Sequence, residues 1–109
     1  MKSAMVELLR SEHEVLDKQI ILGYAYGNSD LFARYQALNL IFGSHRRLHR
    51  KQIEIKVIET SEEFLLAAKG AYNQVLDLFQ NDDRQRNTVA VHLEHIVNMA
   101  EGVCKTTAA

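Results

Sequence analysis

The chain contains no proline. The strongest interruption of a helix interior is therefore missing, which favours long helices. Glycine is scarce, at five residues in 109, so few positions turn through backbone freedom alone. A single cysteine, Cys104, excludes an internal disulfide, and nothing in cysteine usage argues for an oxidising compartment. Neither sign of charge dominates, since 13 basic and 14 acidic side chains leave a formal charge of −1. That removes a global electrostatic case for nucleic acid and leaves only a local one. Long apolar runs are absent as well. The first, "AMVELL", is short and carries Glu7, unlike a signal peptide. The longest later run, "IILGYAYG", falls far below the roughly 20 residues that span a bilayer. The expected setting is the cytoplasm, with no membrane partner.

What is present fits one helical domain covering residues 1–109. Apolar residues make up 47% and charged residues 25%, a balance that folds rather than one that stays disordered. Three polar interruptions divide the chain: "GNSD" at 27–30, "ETSEE" at 59–63 and "QNDDRQRN" at 80–87. Four segments remain, near 3–26, 30–59, 61–79 and 84–102, each with apolar residues at helical spacing. The run "IEIKVIE" alternates as a strand would, but it sits within a longer helical pattern and is read as helix. The joins carry start signals: Asn28 or Ser29, a capping box of Thr60 with Glu63, and Asp82 or Asp83. Gly102 is the expected stop of the last helix. Short connections between long helices point to an all-α fold, an up-down antiparallel four-helix bundle.

Helical wheels assign the inner faces. They are Met5, Leu9, Leu16 and Ile20 on the first helix, with His13 on the flank. On the second they are Leu31, Tyr35, Leu38, Phe42 and Ile53, with His45 and His49 inside the same arc. The third presents Leu65, Tyr72, Leu76 and Phe79, and the fourth Val89, Leu93, Ile96, Val97 and Ala100. His92 falls at the edge of that last stripe and His95 points away from it.

The first two helices carry more apolar surface than a lone bundle needs. Leu8, Val15 and Leu22 recur every seven residues on one, and Ile41, Leu48 and Ile55 on the other. A bundle helix normally buries one stripe and leaves the rest polar. Covering three large aliphatics, at about 1.5–3 kcal/mol each when fully buried, gives a substantial drive to associate. The expectation is a homodimer through these six residues. The rival is a central helix packed among three others within one chain.

"GSHRRLHRKQ" places His45 and His49 four residues apart, where two side chains can share one ligand. Together with His13 and His92 they form a candidate set for a transition metal, iron or zinc. Glu12, Glu62 or Glu63 would supply a carboxylate, and Gln52 an outer hydrogen bond. In these histidines the chain resembles the hemerythrin-like proteins, four-helix bundles of similar size in which histidines and carboxylates from all four helices bind two irons. His13, His45 and His92 match histidines of the family's first, second and fourth helices. The resemblance implies a di-iron site. The chain departs from the pattern where His49 replaces the glutamate of the family's His-x-x-x-Glu. It departs again on the third helix, where "SEEFLLAAKGAYNQVLDLF" has no histidine. The competing reading makes the histidines packed polar residues, with His45 and Gln52 fixing register along a helix seam.

Arg46, Arg47, Arg50 and Lys51 form a local basic patch, with Glu54 one turn from Arg50. No nucleic-acid motif accompanies it, so it reads as a solvated face. The four tyrosines, Tyr24, Tyr26, Tyr35 and Tyr72, read as core. "KGAYNQ" has no phosphate loop around it, and no serine or cysteine has a base in sequence context, so no enzyme is expected. The resulting expectation is a small interaction module, self-associating, with a further protein or small-molecule partner that no motif names. The second expectation is the histidine metal bundle.

Overall fold

The computed structural model describes residues 3–23, 29–43, 54–78 and 83–108. Among them it shows four helices packed together and no strand: α1 (Ala4–Ile21), α2 (Ser29–Phe42), α3 (Ser61–Leu78) and α4 (Asp83–Ala108). No helix among the described residues is long and apolar enough to cross a membrane.

The helix starts follow the polar interruptions. Ser3 caps α1, its Oγ accepting from the Val6 N–H at 3.4 Å. The capping box of α3 forms in full. Thr60 Oγ1 accepts from the Glu63 N–H at 3.1 Å, and Glu63 Oε1 accepts from the Thr60 N–H at 3.2 Å. The Thr60 hydroxyl also donates to Glu63 Oε1 at 2.9 Å. That side-chain bond, with the backbone one from Thr60, holds the Glu63 carboxyl below its ordinary pKa. α2 and α4 begin at Ser29 and Asp83, while Asn28 and Asp82 lie outside the described residues.

Three helix ends correct the sequence reading. α1 stops at Ile21 because Gly23 takes a left-handed φ of +82°. α2 stops at Phe42, not near residue 59, because Gly43 adopts φ +86° and the chain turns away. The Gly43 N–H still bonds Asn39 O at 2.8 Å, and Lys56 N–H then reaches Phe42 O at 2.9 Å. The chain thus returns across the end of α2 so closely that a Cβ at Gly43 would collide with the backbone of Glu54 and Ile55. "IEIKVIE" therefore has no helix over residues 54–59; Ile58 is buried there and Glu54–Val57 are exposed. Gly102, finally, does not stop α4, which runs to Ala108. A glycine inside a helix costs about 1 kcal/mol against alanine, too little to end one of 26 residues.

α2 is the centre of the fold. It packs against α1, α3 and α4. Every residue from Tyr35 to Phe42 is buried, more than two turns with no solvent face. α1 lies at the periphery, packed on α2 and against the start of α3. Two bonds join the first residues of α1 to that start: Ser3 N–H to Glu59 O at 2.8 Å and Ser61 Oγ–H to Ser3 Oγ at 2.7 Å. On α1, Leu9 and Leu16 are buried as expected, joined by Val6, with Met5 and Ile20 at the edge of the core. On α4, Val89, Leu93, Ile96 and Ala100 are buried, also as expected.

The inner face of α3 differs from the expected one. It consists of Phe64, Ala68, Ala71 and Val75, while Leu65 is half-buried and Tyr72 is 41% exposed. Large side chains point to one arc, but the buried arc is the neighbouring one, where two of the four residues, Ala68 and Ala71, are small. Ile53, Phe79 and the side chain of Leu76 lie outside the described residues.

Candidate functional site

Polar groups join α1 to α2 at three levels. The Arg10 guanidinium stands 5.4 Å from the centre of the Phe42 ring. One turn on, His13 Nε2 lies 2.5 Å from Asn39 Oδ1. Further along, the Tyr35 hydroxyl donates to Asp17 Oδ1 at 2.5 Å. The His13 ring stacks on Tyr35 and Phe42, with centroids 5.6 and 5.8 Å apart. Arg34 grips Glu12 with two bonds, at 2.9 and 3.1 Å. Gln36, towards α4, accepts from Gln85. The amide nitrogens of Gln36 and Asn39 are buried without a partner, and each such donor costs about 1–3 kcal/mol. These groups bind one helix to the next in a single register. Sequence patterning ranked Gln36 and Asn39 nowhere; their only signal is position, in the middle of an apolar run.

The histidine set does not converge where the structure describes it. His13 bonds Asn39, whereas His92 Nε2 lies 3.0 Å from Asp30 Oδ1. Asp30 and Asn39 are nine residues apart on α2, about 13 Å along the axis. His13 and His92 are thus held at different levels of the central helix. His45 and His49 lie outside the described residues, as do Gln52 and the basic patch of Arg46, Arg47, Arg50 and Lys51. Among the described residues no group of three or more His, Cys, Asp or Glu side chains is placed to hold a metal ion. A shallow cleft of about 410 Å³ beside His92 is lined by Leu16, Asp30, Leu31 and Arg34. Its charged groups are already engaged, His92 with Asp30 and Arg34 with Glu12.

The six residues expected at a dimer interface separate into two groups. Ile41 is fully buried inside the chain, and so belongs to the core and not to an outer face. Ile55 is 49% exposed, but it stands on the extended segment beyond α2 and not on a helical stripe. Leu48 lies outside the described residues. Leu8 and Val15 on α1, and Leu22 at its C-terminal cap, are 70%, 54% and 67% exposed. Around them Ala4 and Ile21 are also exposed, and Glu7, Ser11, Glu14 and Lys18 are the polar members of the same solvent face. Glu7 pairs with Arg10 of its own helix at 3.1 Å. Leu8, Val15 and Leu22 thus recur one heptad apart on this outermost face, with Ser11, Glu14 and Lys18 between them.

Comparison of the chain with protein-family models, with curated proteins and with solved structures finds no match. The resemblance to hemerythrin-like proteins therefore rests on the quoted histidines alone.

Proposed function

We propose that this chain is a small helical interaction module that pairs with a second copy of itself through the outer face of α1. The exposed heptad stripe of Leu8, Val15 and Leu22 carries the reading. It occupies the peripheral helix, so nothing else in the described chain stands between it and a partner. In this reading the helices follow an up-down, antiparallel order. The matched pairs Arg10–Phe42, His13–Asn39 and Asp17–Tyr35 support that order for α1 and α2, because each step forward on one helix meets a step back on the other.

The interface is small. A helix of 18 residues offers a face about 27 Å long and about 10 Å wide. That lies well below the roughly 800 Å² per partner of a standard stable interface, which places the pairing in the weak, transient class. Light scattering over a concentration series tests this. Mass should rise from one chain towards two with concentration, and Leu8→Glu should hold the protein at one chain with its helicity unchanged. A protein that stays at one chain at every concentration overturns the reading, and so does a Leu8→Glu variant that associates like the parent.

A further inference from the structure

Beyond the pairing of α1 and independent of it, we propose that residues 54–57 form an open edge. This edge takes up an extended segment of another protein as an antiparallel strand. The backbone here faces alternate sides. The Lys56 N–H donates to Phe42 O at 2.9 Å, the Ile58 carbonyl accepts from Arg10, and the Glu54 carbonyl lies against Gly43. Even-numbered residues thus turn their peptide groups inward, towards the end of α2 and towards α1, with the two-residue period of extended chain. The same period turns the N–H and C=O groups of Ile55 and Val57 outward. Among the described residues these groups have no partner. A row of unpaired groups along an extended segment is a template for a further strand. The edge closes at Glu59, whose carbonyl accepts from the Ser3 N–H.

The side chains say what fits. Ile55 and Val57 are β-branched and exposed, and Glu54 and Lys56, also exposed, alternate with them. Neither charge is paired among the described residues. In an antiparallel pair, residues directly opposite one another share a face, where opposite charges attract and like charges repel. The matching segment therefore reads apolar, acidic, apolar, basic from its N-terminus. Its acid meets Lys56 and its base meets Glu54. Its two apolar residues exchange N–H and C=O bonds with Val57 and Ile55. A second copy set in that register overlaps, among the described residues, at 54–56 alone. It leaves Val57 unmatched, although Val57 is 82% exposed. A separate segment matches all four positions.

Fluorescence anisotropy with a labelled, end-blocked peptide, Thr-Val-Glu-Val-Lys-Thr, tests this on the full chain. Binding should saturate, and the charge-reversed peptide Thr-Val-Lys-Val-Glu-Thr should bind at least about fivefold more weakly. N-methylation of the two valines should abolish binding, while N-methylation of the glutamate and lysine, whose amides face away, should change it less than about threefold. Val57→Pro should abolish binding with helicity unchanged, since the Val57 N–H has no partner to lose. The exchange Glu54→Lys/Lys56→Glu should invert the preference between the two peptides, a result that loss of folding cannot imitate. Leu8→Glu should leave binding unchanged, which separates this test from pairing through α1. Absent or unsaturable binding, equal binding of the two peptides, or unchanged binding after methylation of the valines overturns the proposal. So does a Leu8→Glu chain whose mass rises with concentration until Val57→Pro is added, because the edge then belongs to a second copy.

Discussion

α1 and α2 enter the sequence with the same surplus, a second apolar stripe beside the one a bundle helix buries, and the fold treats them in opposite ways. On α2 the surplus is covered from within. The helix is central, Ile41 is as buried as Leu38 on the principal stripe, and no side of its last two turns faces water. On α1 the surplus is left outside, with Leu8 and Leu22 largely exposed. Periodicity reports how much of a helix is apolar, but not what covers it. The neighbours decide that, and α2 has three where α1 has one principal one.

Substitutions can break this comparison. The widest gap is expected between Ile41→Asp and Leu8→Asp. The first puts an unpaired charge into the core, exceeding the loss of about 2–5 kcal/mol typical of a large-to-alanine change. Against a typical total of about 5–15 kcal/mol it should unfold most of the chain, seen as loss of helical circular dichroism. Leu8→Asp should move stability by no more than about 0.5 kcal/mol in urea melts of dilute protein. Equal losses from the two would mean that α1 is covered within the chain after all.

Next in size is the seam that gives α2 its register. Tyr35→Phe should destabilise by about 1–3 kcal/mol, since it removes a bond to a carboxylate and leaves Asp17 with one contact fewer. Asn39→Leu and His13→Leu should each be unfavourable alone, while the double variant recovers much of the loss. The reason is that it removes both ends of the polar contact and an amide already buried unpaired. Simple addition of the two losses would show that His13 and Asn39 do not act as a pair.

The smallest effect concerns the cap of α3. Thr60→Ala should cost about 1 kcal/mol and let the Glu63 carboxyl titrate nearer its ordinary range, followed by NMR. Since Thr60 depresses the Glu63 pKa in the folded chain, the stabilisation is present above the unfolded-state pKa. It is lost as pH falls through the lower folded value. Acidification should therefore fray the start of α3 in the parent and change the Thr60→Ala variant less.

The four helices were legible in the sequence because their starts are written in local chemistry, as in the Thr60–Glu63 box and the Ser29 and Asp83 boundaries. The ends were not. Gly23 and Gly43 act through backbone dihedrals and through what returns across them, and Gly43 in particular is fixed by a segment more than ten residues later. The face of α3 is not legible from side-chain size, because small Ala68 and Ala71 are buried while Tyr72 and Leu66 are exposed. Of the candidate site, the sequence placed Leu8, Val15 and Leu22 beside the buried stripe of α1, and all three are exposed. Whether His13 and His92 meet depended on their levels along α2, which wheel positions on separate helices do not encode.

The join between Ser3 and the residues before α3 also bears on synthesis. Ser3 and Ser61 are 58 positions apart, and chains leave the ribosome at about 5–20 residues per second. For some seconds, then, α1 has neither its anchor at Ser61 nor the complete helix beneath it, and both its apolar faces are bare. α1 is thus made before the helices that cover its inner face. Until they follow, Val6, Leu9 and Leu16 are as open to contact as Leu8 and Val15 remain in the finished fold.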